Sequence, residues 1–278
     1  MLRSLRDVCY LFLPVSALIL LIFFTTDKLS RGLEVSSPGC ALYGGLPVTT
    51  SPAAAHTVLV NQGYLVGYSE ERRDPLWVAY RLCDADFSSR PGRASWRTDE
   101  RTNARVESRE YTGTGYVCGQ MAPSSAIARC YGARAQGETF LMSNVCPQSP
   151  ATSRMPWRQL EAAAERYAHT LGEVWVFSGP VFEGDSRFLQ PQPDGGKQLD
   201  RGGVTIPDAF YTILVAEVCG APRALAFLVP QSASGTLPLE GYVTSIDAVE
   251  ERIGFDFLPQ LEDGIEKPLE AQVSLHLW

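Results

Sequence analysis

Short, mostly apolar runs bounded by turn residues, a pattern typical of buried β-strands, recur along the chain after residue 42. The first two, at 58–60 and 64–68, flank the turn signal Asn61-Gln62-Gly63 and predict a β-hairpin. Further strands are predicted at 77–82 after Pro75, at 139–142, at 174–177 before Gly179-Pro180, at 212–218 and at 224–229.

Helical spacing of apolar residues is confined to two segments. Trp157, Leu160 and Ala164 share one face of a predicted helix that starts at Pro156 and ends near residue 171. A shorter helix is predicted at 246–253, whereas 88–110 and 184–203 are predicted loops and the tail 264–278 is predicted to be peripheral. Many strands with few helices, and no regular alternation of the two, predict one α+β domain over 42–263 with a central, mostly antiparallel sheet and flanking helices.

The N-terminal pattern differs from the rest of the chain. An apolar run at 8–26 follows Arg3 and Arg6, and a helix of that length measures roughly 28 Å, enough to cross a bilayer core. It predicts a transmembrane signal anchor with a short cytoplasmic segment at 1–7, a linker at 27–41 and the remaining chain on the extracytoplasmic side. A cleaved signal peptide and a mitochondrial inner-membrane anchor are alternatives that the sequence leaves open.

Charge and cysteine content narrow the function classes. The net charge of −7 argues against binding nucleic acid through bulk positive charge, although 88–110 is rich in arginine. Six of the seven cysteines lie outside the apolar run, which makes disulfides plausible in an exported domain but leaves their pairing undetermined. With three histidines and no C-x-x-C pair, a zinc site of clustered Cys and His residues is not expected.

Several dispersed motifs point to one known family. They are Tyr111-Thr112-Gly113-Thr114-Gly115-Tyr116, Met121-Ala122-Pro123, Phe140-Leu141-Met142-Ser143-Asn144-Val145, Pro147-Gln148 and Trp157 followed by Leu160-Glu161. With further matches over roughly 42–263, the chain resembles the DNA/RNA non-specific endonucleases, which have a ββα-metal finger at their core. The resemblance implies nucleic acid as ligand and one Mg²⁺ as cofactor of phosphodiester hydrolysis.

The positions that carry this chemistry are changed. Family members have Asp-Arg-Gly-His where this chain has Val117-Cys118-Gly119-Gln120, and their His is the general base that activates water. A carboxamide is not basic near neutral pH, so Gln120 can orient a water molecule but cannot deprotonate it. Loss of a general base typically lowers the rate by about 10² to 10⁴.

The expected metal and substrate positions are also altered. Ser153 replaces the Mg²⁺-binding Asn of the family, while Glu161 and Asn144 are retained, so Mg²⁺ is expected to be held weakly. Arg93 is the nearest candidate for the substrate-binding arginine. These residues also have structural interpretations. Glu161 is then a solvated helix residue, and Asn144 is a turn residue or a cross-strand hydrogen bonder. Gln120 is then a packed residue and Arg93 a solvated surface residue, neither with a function in the site.

Three functions fit these residues, and the first is favoured. The chain is then a membrane-anchored pseudonuclease that binds nucleic acid, through 88–110, or a protein partner. The second is an active Mg²⁺-dependent phosphodiesterase with a rearranged base, for which His56 and His169 are candidates. The third is a disulfide-stabilised interaction domain, or a structural subunit of a membrane assembly, with no role in nucleic-acid binding.

Overall fold

Seven antiparallel strands form the central sheet in a computed structural model of the protein. The structure describes residues 42–84, 92, 94–190, 203–274 and 276–278. The seven strands are β2 Thr57–Asn61, β3 Tyr64–Ser69, β4 Asp74–Cys83, β7 Glu173–Val181, β10 Ala209–Val218, β11 Ala221–Pro230 and β12 Val243–Thr244. Their spatial order is β12-β11-β10-β7-β4-β3-β2. Three two-stranded sheets pair β1 Val48–Thr49 with β13 Phe255–Asp256, β5 Val117–Gln120 with β6 Val145–Gln148, and β8 Arg187–Phe188 with β9 Thr205–Ile206.

Four helices pack around the sheet, and shorter turns connect them. The helices are α1 Ser124–Glu138, α2 Arg158–Leu171, α3 Ile246–Ile253 and α4 Asp263–Ala271. A helical turn Pro150–Thr152 and a π-helical turn Ser153–Trp157 lead into α2. Single 3-10 turns lie at Pro52–Ala54, Ser108–Tyr111, Met142–Asn144 and Leu239–Tyr242.

Successive residues of each central strand face opposite sides of the sheet. Phe210 of β10 lies 5.5 Å from Trp157 (ring centroids), on the side where α2 buries Leu160 and Ala164. The next residue, Tyr211, instead packs 5.8 Å from Phe257, which follows β13. The segment that carries β13 therefore covers the face opposite to α2.

The side with α2 also carries β5 and β6, which together with α2 form a ββα unit. Gly119 of β5 lies opposite Cys146 of β6, and a β-carbon at Gly119 would approach the Gln148 side-chain oxygen to 2.6 Å. A larger residue there would therefore displace Gln148. The unit confirms the predicted α+β class with a finger-like core.

The predicted hairpin, β4, β10, β11 and α3 are confirmed, but several boundaries are wrong. Residues 139–142 are not a strand, because Thr139 caps α1 and a 3-10 turn follows. β7 continues through Gly179-Pro180, and β4 contains Pro75 rather than starting after it. The helical path into α2 begins at Pro150 rather than Pro156, and the tail forms α4.

Other predictions lie partly or wholly outside the described residues. The predicted cytoplasmic segment 1–7, anchor 8–26 and linker 27–41 lie outside the described residues, as does the candidate substrate-binding Arg93. Among the helices that the structure describes, none has the length and apolar character needed to cross a bilayer. Cys83, Cys118, Cys130, Cys146 and Cys219 are free thiols. The Cys83 amide donates to Cys130 Sγ at 3.2 Å, so these two residues are neighbours, and disulfide pairing stays a prediction.

Candidate functional site

Gln120 is the last residue of β5, and its side chain is engaged with the end of α1. Its amide nitrogen donates to the Thr139 carbonyl at 2.8 Å and lies 3.2 Å from the Thr139 hydroxyl. The residue that replaces the expected general base is thus held as a hydrogen-bond donor to the protein itself. An amide in this position stabilises the junction between β5 and α1.

Asn144 is fully buried beside Gln120 and uses both ends of its side chain. Its carbonyl oxygen accepts from the Ala122 amide at 2.8 Å, and its nitrogen donates to the Ala122 carbonyl at 3.0 Å and the Thr139 carbonyl at 2.9 Å. The structure therefore brings Gln120 and Asn144 together on one acceptor, the Thr139 carbonyl. Asn144 lies in the 3-10 turn before β6, and its side chain links this turn to the residues that follow β5 and α1.

Glu161 lies in the first turn of α2 and is half-buried. Burial, and then nearby Glu165, raise its pKa to about 8, although Arg158 and the Trp157 indole partly offset this increase. Glu165 is itself paired with Arg129 at 2.7 Å. Without a cation, the Glu161 carboxyl is mostly protonated at neutral pH, so it differs from the solvated helix residue that the sequence also allowed.

Ser153 opens the π-helical turn before α2 and is half-buried. The adjacent Thr152 hydroxyl donates to the Gln231 carbonyl at 2.8 Å, which fixes this turn against the end of β11. Among the described residues, no hydrogen bond or ion pair joins Ser153 or Glu161 to Gln120. The structure assembles Gln120 with Asn144 but does not join them to the two expected metal positions.

These side chains do not fit a firmly held Mg²⁺. The Asn144 carbonyl oxygen is already used by the Ala122 amide, and Ser153 offers only a neutral hydroxyl. Glu161 is then the single carboxylate at the expected metal position. Mg²⁺ in proteins is usually held by one or two ionised carboxylates together with water or substrate phosphates.

The candidate substitute bases are engaged elsewhere. His56 Nδ1 lies 2.9 Å from the Ala54 carbonyl, and its ring contacts Trp77 and Phe255 on the face opposite to α2. His169 Nδ1 lies 2.8 Å from an Asp84 carboxylate oxygen, and α2 separates it from Glu161 by roughly 12 Å. Burial raises the pKa of the Cys118 thiol to about 11, so it is not a thiolate nucleophile at neutral pH.

Arginines of the basic segment are likewise bound to the protein. Arg97 donates to the Gly137 carbonyl at 2.8 Å, and Arg101 pairs with buried Asp99 at 2.6 Å. Arg105 pairs with Glu100, and Arg109 pairs with Glu107 at 2.8 Å. In the described part of the segment, 94–110, the positive charge is therefore largely compensated from within.

Two residues near the site were missed as site residues from the sequence. Thr139 supplies the carbonyl that both amides share, and nothing in its sequence context distinguishes it. Gln148 is buried beside Gly119, and neither atom of its amide has a hydrogen-bond partner among the described residues. The Pro147-Gln148 pair within the family-like motif was the available signal for Gln148.

Comparisons with known proteins agree with this architecture. The chain is 26% identical over 243 residues to a nuclease from Nostoc sp., covering 83% of each chain. It is 27% identical over 209 residues to mitochondrial endonuclease G from Bos taurus, covering 71% of this chain and 68% of the relative. A crystal structure of an EndoG/EndoGI complex has a similar fold, with a TM-score of 0.62 at 24% identity over 75% of this chain and 88% of that chain. The sequence profile of the DNA/RNA non-specific endonucleases matches residues 45–264, and the chain therefore belongs to that family.

Proposed function

We propose that this member of the nuclease family has lost efficient phosphodiester hydrolysis and acts by binding. The observation that carries the proposal is the orientation of Gln120, whose amide donates to Thr139 where the family places a base. Hydrolysis needs a group that takes the proton of the attacking water. A bound carboxamide is not such a group, and the candidate bases His56 and His169 are engaged away from it.

The weak metal position supports the same proposal. Phosphodiester cleavage in this family relies on a cation that stabilises charge at the phosphate, and this is the chemistry Mg²⁺ would supply. Here Glu161 is the one carboxylate at the expected place, and Ser153 replaces the amide ligand. Loss of the base and weakening of the cation site act on the same step, so their effects are not additive.

A protein is the better candidate for the bound partner than nucleic acid. Non-specific binding of nucleic acid depends on uncompensated Lys and Arg residues near phosphates. Arg101, Arg105 and Arg109 are instead paired with acids, and the chain has a net charge of −7. The solved structure with a similar fold is a complex of EndoG with EndoGI in which EndoG is inhibited, so binding of an inhibitory partner to this fold has a precedent.

The N-terminal segment belongs to the same proposal. We infer that 8–26 anchors the domain to a membrane, and the mitochondrial name of the bovine relative favours the mitochondrial alternative. Cell fractionation followed by alkaline carbonate extraction tests this. An anchored protein stays in the membrane pellet of mitochondria, and release into the soluble fraction would contradict the inference.

The decisive assay is cleavage of supercoiled plasmid and of RNA with Mg²⁺ or Mn²⁺, beside the Nostoc nuclease. We expect cleavage at least about 10²-fold slower than that of the relative. Gln120→Ala and Glu161→Gln should then match the parent, as should the control Gln159→Ala on α2. A rate similar to that of the relative, lowered by Gln120→Ala or Glu161→Gln but not by Gln159→Ala, would instead establish a working nuclease with a rearranged base.

A further inference from the structure

A cluster of carboxyl groups lies away from the ββα unit. We name it the C-terminal carboxylate cluster, and it consists of Asp247, Glu250, Asp256, Glu266 and Glu270. Oxygens of Asp247, Glu250 and Glu270 lie within 4.8 Å of one another, and so do those of Asp256, Glu266 and Glu270. The two triads share Glu270, so three elements, α3, β13 and α4, converge on one side chain.

Glu270 is the unusual member of the cluster. Its side chain is 5% exposed, and its Oε1 has no hydrogen-bond partner among the described residues. Burying an unpaired carboxylate is costly, and facing it with four other carboxylates increases that cost. A surface acidic patch normally avoids this by leaving its side chains in water.

The cluster is not neutralised by basic residues. Arg252 pairs with Glu183 at 2.5 Å, and Lys267 pairs with Asp263 at 2.6 Å. No ion pair between described residues reaches any of the five carboxyl groups. The Phe257 amide, which donates to Glu250 at 2.6 Å, offsets only a small part of the charge.

The raised pKa values of two cluster members agree with a site whose negative charge is not compensated by nearby basic groups. Burial, and then repulsion from Glu250 and Glu266, raises the pKa of Glu270 to about 8. Burial also raises the pKa of Glu250 to about 7, with Asp256 and Asp247 contributing. A divalent cation between these groups would remove the repulsion that the fold otherwise bears.

We propose that the C-terminal carboxylate cluster is a Ca²⁺ site that fastens α4 to α3 and β13. The donor set consists of carboxylate oxygens, which suit hard cations rather than transition metals. Ca²⁺ takes six to eight oxygens at about 2.4 Å, so opposite ligands lie about 4.8 Å apart. Mg²⁺ requires a smaller, stricter octahedron and usually keeps several waters, which fits a converging set of five carboxylates less well.

This site is separate from the candidate functional site. Phe257, next to Asp256, packs on Tyr211, whereas α2 packs on the opposite side of the sheet through Trp157 and Phe210. The family match ends at residue 264, so Glu266 and Glu270 lie beyond it. The site therefore combines three residues inside the matched region, Asp247, Glu250 and Asp256, with two that follow it.

Thermal unfolding of the full-length protein in EDTA, Ca²⁺ or Mg²⁺ tests the proposal. At a hundredfold excess over Kd, Ca²⁺ should raise the Tm of the parent by about 5 to 10 °C. Glu270→Gln should lose most of this increase, because the side chain that both triads share can no longer bind the cation as a carboxylate. Glu251→Gln, an exposed acid on α3 next to Glu250, is the control and should behave like the parent.

Two comparisons locate the effect. Glu161→Gln should keep the full Ca²⁺ response, because Glu161 lies on the other side of the sheet. If Glu270→Gln does not fold, Glu266→Gln should show the same loss of response. A parent Tm that Ca²⁺ leaves unchanged within about 1 °C, an equal increase with Mg²⁺, or a response lost in Glu161→Gln but kept in Glu270→Gln would each overturn the proposal.

Discussion

The ββα unit and the C-terminal carboxylate cluster lie on opposite faces of one sheet. They differ in the hydrogen bonding of the Gln120–Asn144 pair and of Glu270. In the ββα unit, Gln120 and Asn144 are uncharged and are satisfied by backbone groups. In the cluster, Glu270 is buried among other carboxyl groups with one oxygen unpartnered. The difference is that the Gln120–Asn144 pair is satisfied by backbone groups of the protein, whereas unsatisfied acidic groups lie in the cluster.

Asp99 shows that this chain can also satisfy a buried carboxylate fully. Burial alone would raise its pKa, but hydrogen bonds from Arg101 and Ser143 outweigh that effect and lower it. The Ser143 hydroxyl donates at 2.6 Å, and Arg101 donates to both oxygens. Glu270 lacks comparable donors for its Oε1 among the described residues, so its environment differs from that of Asp99.

The largest expected effect comes from restoring the family residues at the ββα unit. The combined variant Val117→Asp, Cys118→Arg, Gln120→His and Ser153→Asn should increase Mg²⁺-dependent plasmid cleavage by about 10² to 10⁴, because it returns a base and a metal ligand. Ser153→Asn alone is the control and should remain inactive. A folded combined variant with no gain in rate would show that more than these residues was lost.

Asn144→Ala should produce the next largest effect, and it acts on stability. The substitution removes three hydrogen bonds at a fully buried site and leaves the Ala122 amide unpaired, which should cost about 2–4 kcal/mol. Chemical denaturation measures this loss. Asn103→Ala, at an exposed asparagine, should change the free energy of unfolding by less than about 0.5 kcal/mol. Equal effects of the two variants would contradict the structural role of Asn144.

Asp74 tests a third situation, a fully buried carboxyl outside both regions. Burial raises its pKa well above the usual range, and Arg73 and Arg72 offset this only in part. The unfolded chain releases this proton near pH 4 while the folded protein keeps it, so stability falls as the pH rises above that value, by up to about 1.4 kcal/mol per pH unit. Asp74→Asn cannot ionise, so its Tm relative to the parent should increase from about pH 5 to about pH 8. A constant difference would show that Asp74 keeps an ordinary pKa.

The smallest effect is expected for the exposed arginines of the basic segment. Arg109 pairs with Glu107, and both side chains are largely exposed, so Arg109→Ala should change the free energy of unfolding by less than about 0.5 kcal/mol. It should also leave DNA binding unchanged at low ionic strength. A clear loss of binding, with a shallower salt dependence, would restore nucleic acid as the favoured partner.

Much of the sheet was predictable because its strands obey a local rule. β2, β3, β10 and β11 alternate residues between two faces, and α3 carries both a Ser245 cap and a Gly254 stop. α1 was missed because its apolar face is weak and Gly132, with φ of 85°, interrupts the helix. The strand expected at 139–142 is reduced to a single parallel β-bridge between Leu141 and Arg97, because α1 ends at Glu138 and a 3-10 turn begins at Met142, while Phe140 packs on Trp96.

The candidate site was only partly predictable. Motif positions identify Gln120, Asn144, Ser153 and Glu161, but not the partners that each side chain has in the folded chain. Thr139 joins Gln120 and Asn144 from distant positions, which no local pattern reveals. The C-terminal carboxylate cluster was missed for the same reason, since its residues come from three elements and acidic residues are common on surfaces.

The single carbonyl shared by Gln120 and Asn144 has an evolutionary consequence. Histidine and glutamine at position 120 form different hydrogen bonds with the Thr139 carbonyl. Because Asn144 donates to the same carbonyl, a substitution at 120 also alters the hydrogen bonding of Asn144. Substitutions along this lineage should therefore be epistatic, tolerated in one order and harmful in another. An ancestor carrying histidine at 120 is the background in which that order can be reconstructed.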